Sequence, residues 1–315
     1  MKPLLPLAIV TFTVLFGLPA RATAAYHYER AEAPARTLVV DATGTTVATL
    51  TDGARTAVFR GPVRTFDEPA ATTATVTTRD RILLAPRAWH AGGQTDGNLG
   101  VWLANTLAGN APDTDVLDIA MQYRRDTPDL VNGNGIRYAG RAFFGPVVAG
   151  ERVTGSDFVD YLGVPWTYDD GVTQEPDPLH KDSLDHSGFL RMVFGYRSGY
   201  PVGRAPGPGV LPRTVSDFAT AGPGTVVVPD AGTAPSAAQL ATLLPGDVLL
   251  FDLDPEDGPL LDHSGLSLGL DSAGRPRFVS SRKAHNAPTM GDRNGSSVLT
   301  GTGVFARVLR EVRRL

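Results

Sequence analysis

Leu184-Asp185-His186-Ser187-Gly188-Phe189-Leu190-Arg191-Met192-Val193-Phe194 is the stretch on which the reading of this chain turns. Phe189, Leu190, Val193 and Phe194 recur at i, i+1, i+4 and i+5, which places them on one buried face of a helix. Asp185-His186-Ser187-Gly188 precedes that face, so His186 is expected in the first helical turn. Free amides and the positive end of the helix dipole lie there, and they penalise an imidazolium, so His186 is expected to be neutral. Ser187, one position on, points about 100° away around the helix. Gly188 would let a neighbouring backbone approach closely, and Ser187 can satisfy first-turn amides.

Working outward, Ser156-Asp157-Phe158-Val159-Asp160-Tyr161-Leu162-Gly163 reads as a short helix with Ser156 as its N-cap and Gly163 as its stop. Pro201 to Pro235 is so punctuated by Pro and Gly that an irregular surface segment is expected. Leu243 to Phe251 reads as a turn feeding a buried strand. His263 to Leu270 and Arg277 to Ser281 flank Asp271-Ser272-Ala273-Gly274, the composition of a hairpin turn. Val304 to Arg310 alternates like a half-exposed final strand. A helix followed by an antiparallel sheet makes this half α+β.

The first third is β-rich. Thr37 to Asp41, Thr46 to Leu50, Ala57 to Arg60 and Ala74 to Thr78 are β-branched runs separated by turn signals, whereas Gly97 to Ala108 and Thr114 to Tyr123 are compatible with helices. At the N-terminus, Lys2, an apolar run from Leu4 to Leu18 and Ala22-Thr23-Ala24 together read as a removed secretory signal over residues 1–24; an uncleaved anchor is the competing reading. The organisation expected is therefore a signal over 1–24, a β-rich accessory domain over 26–150 and an α+β domain over 151–315.

The order of blocks in the C-terminal half resembles the NlpC/P60 family of papain-like cell-wall peptidases. The family's Gly-x-Pro-Tyr-x-Trp-Gly-Gly entry is similar to Gly163-Val164-Pro165-Trp166-Thr167-Tyr168-Asp169-Asp170 with the aromatics exchanged. Its Asp-Cys-Ser-Gly nucleophile motif is similar to Asp185-His186-Ser187-Gly188, and its Pro-Gly-Asp strand entry to Pro245-Gly246-Asp247. Its His-Val-Gly-Ile-Tyr-Leu-Gly strand is similar to His263-Ser264-Gly265-Leu266-Ser267-Leu268-Gly269. The resemblance covers about Thr154 to Leu315. It implies a helix packed on an antiparallel sheet, and peptidoglycan or cell-wall peptides as the substrate class. It also implies a catalytic set at His186, His263 and Ser280, with Trp166 and Tyr168 lining the cleft beside Asp185 and Ser187.

The set departs from the family's common pattern at two of its three positions: at Ser280, where many relatives have histidine and others a different polar residue, and more seriously at its nucleophile. A helix N-terminus turns cysteine into a reactive thiolate, but this chain has no cysteine. Neutral imidazole is a poor nucleophile toward an amide, so cysteine peptidase activity is expected to be lost or reduced. Three readings of His186 and His263 follow. They fill an abandoned active site, they bind a divalent metal with Asp185, Asp254 or Asp262 as a third ligand, or they support an altered hydrolysis. Arg282 is a candidate for a ligand carboxylate, as is His285. His180 is expected at the surface.

Composition narrows the setting. Losing Lys2 and Arg21 with the signal takes the basic residues from 29 to 27 against 33 acidic ones, a net charge of −6 that argues against nucleic acid. No disulfide can form, so stability must come from burial. A secreted or cell-wall location, no cofactor and no membrane span after signal cleavage complete the expectation. A partner-binding module without catalysis is the remaining alternative.

Overall fold

The β-branched runs of the first third form an antiparallel meander of β1 (His27–Ala31), β2 (Arg36–Val40), β3 (Thr46–Thr51), β4 (Thr56–Phe66) and β5 (Val76–Leu84). The β2–β3 turn is built by Asp41, whose Oδ1 accepts from the amides of Thr43 and Thr45 while Gly44 takes a left-handed φ of 81°. The computed structural model describes residues 26–207, 209–254, 256 and 258–315. The expected signal over 1–24 lies outside the described residues.

Two helices follow the meander. Asp96 caps α1 (Gly97–Leu107), and a reciprocal pair, Asp115 and Asp118, caps α2 (Val116–Met121). Three short ribbons come next: β6 (Leu130–Val131) with β7 (Arg137–Ala139), β8 (Val147–Val148) with β9 (Glu151–Arg152), and β10 (Trp166–Thr167) with β11 (Thr173–Gln174). Between the last two lies α3 (Phe158–Leu162), ended by Gly163 at φ 66°. Its cap is Asp157, one residue later than expected, because Asp157 closes a capping box with Asp160. Ser156 Oγ instead bonds His180 Nδ1 at 2.8 Å.

The segment that opens the sequence reading becomes α4 (His186–Leu190) and runs on as a π-turn over Arg191–Tyr196. Beyond it lie α5 (Val215–Ala221), β12 (Thr225–Val228), α6 (Ala237–Leu240), β13 (Val248–Phe251), β14 (His263–Leu270), β15 (Pro276–Arg282), β16 (Ala287–Thr289), α7 (Val304–Val308) and β17 (Leu309–Arg314). The last strands form a six-stranded antiparallel sheet in the order β12-β17-β13-β14-β15-β16. The architecture is α+β with antiparallel sheets.

Two expectations are corrected here. The stretch between Pro201 and Pro235 is not wholly irregular, since it supplies α5 and the edge strand β12. Val304 to Val308 is a helical turn rather than strand: Phe305 turns inward onto Phe251 and Phe278, at centroid distances of 5.5 and 5.2 Å, and only then does β17 begin.

Packing runs across residue 150. One apolar cluster joins Phe66, Val76 and Ile82 of the meander to Leu117 and Tyr123, and these to Phe158, Phe189, Val193, Val248 and Leu266. The chain end is held in the same way. Thr56 Oγ1 donates to the Leu315 carbonyl at 2.7 Å, and Arg314 reaches both Thr51 Oγ1, at 2.9 Å, and Asp247. The meander thus buttresses the sheet that carries His263.

Candidate functional site

Asp185 determines where α4 begins. Its Oδ1 accepts from the Gly188 amide at 2.8 Å and the Ser187 hydroxyl at 3.0 Å, and its Oδ2 accepts from the Gly155 amide at 2.8 Å. Gly188 is sterically required, because a Cβ there would lie 2.1 Å from the Ser156 carbonyl oxygen. The helix entry is also tied to the sheet: Ser281 Oγ of β15 donates to the Leu184 carbonyl at 2.6 Å. These contacts seat His186 at the first position of α4, which packs against β14 and β15.

His263 opens β14 and pairs in register with Phe251 of β13. Its ring faces that of His186 at a centroid distance of 4.8 Å and an interplanar angle of 56°. The structure therefore brings the two sequence-predicted histidines together. They are 8 % and 4 % exposed, and Phe144 flanks His186 while Phe251 and Phe305 flank His263. His186 Nδ1 and His263 Nε2 are buried with no hydrogen-bond partner among the described residues.

Burial holds both imidazoles neutral. It pulls the His186 pKa below the ordinary histidine value; Asp185 opposes the shift and Arg213 adds to it. For His263 burial acts first, and His186 and Arg282 deepen the drop. The direction agrees with the neutral His186 expected, and burial is its largest cause.

Two cavities meet at this pair. One of about 500 Å³ is lined by Ser187, Arg213, Ser216 and Leu260; another of about 470 Å³ is lined by His263, Arg282, Lys283 and Phe305. Both are also lined by Thr154, His186 and Asp262. The shared lining makes them neighbouring parts of one groove at His186, each with a volume in the range of ligand sites.

Arg213 is the residue that sequence reasoning missed. It grips Asp185 with Nη2 at 2.8 Å from Oδ2 and Nη1 at 3.4 Å from Oδ1, and donates to Ser187 Oγ at 2.6 Å. Burial alone would raise the Asp185 carboxyl, yet the charge of Arg213 and these hydrogen bonds hold it well below the ordinary carboxylate range. Arg213 shifts upward despite its own burial, through Asp185 and Asp157. Two buried aspartates, Asp157 and Asp185, demand cations, and that demand was the available signal. Arg191 satisfies the other, with Nε 3.1 Å from Asp157.

The remaining predicted residues scatter. Ser280, expected beside His263, is fully buried and accepts from Arg282 Nε at 3.0 Å; no hydrogen bond joins it to His263 Nε2, which has no partner among the described residues. Arg282 lines the groove but is only 2 % exposed, and donates to Ser280, Ser297 and the carbonyls of Gly291 and Gly295. Its guanidinium lies over Phe278 and Phe305, and burial pushes its pKa down to about 9, so it remains charged at neutral pH. Trp166 and Tyr168 line neither cavity. Trp166 packs edge-on against Phe158 and Tyr196, and the Tyr168 hydroxyl accepts from Arg191 at 3.0 Å and donates to Gln174 at 2.8 Å. His285 also lies outside the groove lining, with Nε2 3.8 Å from Glu68.

A metal centre on the two histidines does not fit this donor set. Among the described residues no group of three His, Cys, Asp or Glu side chains is placed to hold an ion. Asp185 is committed to Arg213, and both Asp262 oxygens accept amides, from Leu253 at 2.8 Å and Asp254 at 2.6 Å. The burial and cationic neighbours that keep the rings unprotonated also oppose an added cation.

No helix among the described residues is long and apolar enough to cross a membrane. No protein-family model, curated protein or solved structure matches the chain.

Proposed function

We propose that the protein is exported to the cell envelope and binds peptidoglycan-type peptides in an NlpC/P60-like groove that has lost cysteine-peptidase chemistry. The observation that carries this reading is the 4.8 Å approach of His186, first residue of α4, to His263 across that groove. A thiolate at residue 186 would stand at a helix N-terminus beside a general base, the arrangement that acyl transfer needs. Here both partners are neutral imidazoles.

Amide hydrolysis lacks its first step. Attack requires a nucleophile stronger than imidazole, and residue 186 supplies none. His263, lowered by burial, His186 and Arg282, rests unprotonated and could pass a proton to a leaving amine only after taking it from such a nucleophile. Ser187 does not substitute, since its hydroxyl is engaged by Asp185 and Arg213. What remains is recognition. Arg282 is spent on structural acceptors, so Lys283, exposed on the groove wall, is the cation available to a peptide carboxylate.

The test is to mix purified protein with muropeptides, with and without chelator, and to follow binding by calorimetry and products by mass spectrometry. Saturable binding without cleavage, weakened by Lys283→Ala, is the expected result. Cleavage by the parent protein, or no binding at all, overturns the proposal.

A further inference from the structure

We propose a second small-molecule site, sharing no residue with the His186 groove, that takes an amphiphilic carboxylate. A cavity of about 410 Å³ opens where β5, α1, α2 and the residues after the π-turn meet. Its volume lies in the range of ligand pockets. Ile82, Leu84, Trp102, Val116 and Ile119 give it an apolar wall. The exposed Asn105 and Asn110 stand among the residues around it.

Charge selects the head group. Of the two charged residues lining the cavity, Asp115 is fully engaged: Arg64 binds its oxygens at 2.9 and 2.6 Å, and the amides of Ile82 and Asp118 donate to it at 2.6 and 2.9 Å. Arg197 is the opposite case. Its acceptors are all neutral, the Tyr123 hydroxyl at 3.0 Å, the Tyr138 carbonyl at 3.2 Å and Gln122 Oε1 at 3.0 Å, and no carboxylate pairs with it among the described residues. These bonds use three of the five N–H groups a guanidinium carries. A half-buried guanidinium beside an apolar wall is complemented by one negative charge on an apolar body. A polyol would set hydroxyls against the apolar wall and leave them unpaired there, and a phosphate dianion would exceed the one cation lining the cavity that has no carboxylate partner among the described residues.

Octanoate is the probe, and 1-octanol, of the same length without the charge, is the control; binding to the full mature chain is followed by calorimetry and by amide shifts at Leu84 and Ile119. Octanoate should bind at one site per chain and about tenfold or more tighter than octanol, equivalent to about 1.4 kcal/mol. Arg197→Met should bring octanoate to the level of octanol. Because Arg197 also holds Tyr123 and Tyr138, Asn105→Trp is the second variant: it fills the cavity from an exposed position of α1 and should abolish binding of both ligands. Absence of saturable octanoate binding, equal affinity for octanol, or full binding by Asn105→Trp overturns the inference.

Discussion

Replacing Asp185 by Asn leaves a side chain that can still cap α4 but removes the charge that Arg213 grips. Arg213 would then stand beside His186 with the more distant Asp157, 3.8 Å from its Nε, and Asp160 as counter-charges. Removing one partner of a buried ion pair costs about 3–5 kcal/mol, and because the Arg213 side chain is 25 % exposed against 2 % for Asp185, the lower end, about 3 kcal/mol, is expected. Urea unfolding of Asp185→Asn, Arg213→Met and the double variant at pH 7 measures it. The double variant should lose clearly less than the sum of the singles, since it strands no charge. The pH dependence has a definite sign. The folded carboxyl lies below its unfolded value of about 3.9, so its contribution is complete above that value and disappears as the pH falls through the folded value. The stability gap between parent and Asp185→Asn should be constant near neutrality and close in acid. A loss under about 1 kcal/mol, or strict additivity in the double variant, would refute the reasoning.

Gly188→Ala should cost about 3 kcal/mol or more, read as a lowered urea midpoint, because its Cβ would meet the Ser156 carbonyl at 2.1 Å with backbone on both sides of the clash. Both buried imidazoles should titrate below about 6.5 by NMR. Below that value the unfolded chain takes up protons first, so the pair costs stability as the pH falls toward the folded values, and a His186→Gln, His263→Gln double variant should be less acid-sensitive than the parent. His186→Cys should gain slow muropeptide hydrolysis detectable by mass spectrometry, since it restores a thiol at the start of α4 facing His263.

Local pattern made much of this fold legible. The β-branched runs of the meander and the hairpin around Asp271 to Gly274 follow from alternation and turn chemistry, and His186 stands at its helix start because Asp185 is a strong cap. Failures occurred where tertiary partners decide. Val304 to Val308 alternates like a strand, yet the pocket between Phe251 and Phe278 draws Phe305 inward and the backbone coils to deliver it. Trp166 and Tyr168 were expected in the cleft. They pack elsewhere because Phe158 and Tyr196 offer Trp166 an aromatic slot, and the Asp157–Arg191 pair offers Tyr168 a donor. Arg213 lies 28 residues from Asp185, within a Pro- and Gly-rich stretch that gives no periodic signal. Ser280 sits on the expected strand, where its hydroxyl accepts from Arg282, two residues on, and makes no hydrogen bond to His263 Nε2.

The central claim, that a groove organised around two neutral imidazoles binds a wall peptide without cutting it, is tested most directly by following the ring signals of His186 and His263 by NMR while muropeptide is added. The account predicts saturable shifts of both rings together with Lys283, and a ligand spectrum that stays intact over hours. Unmoved rings, or conversion of the ligand into products during the titration, would contradict it.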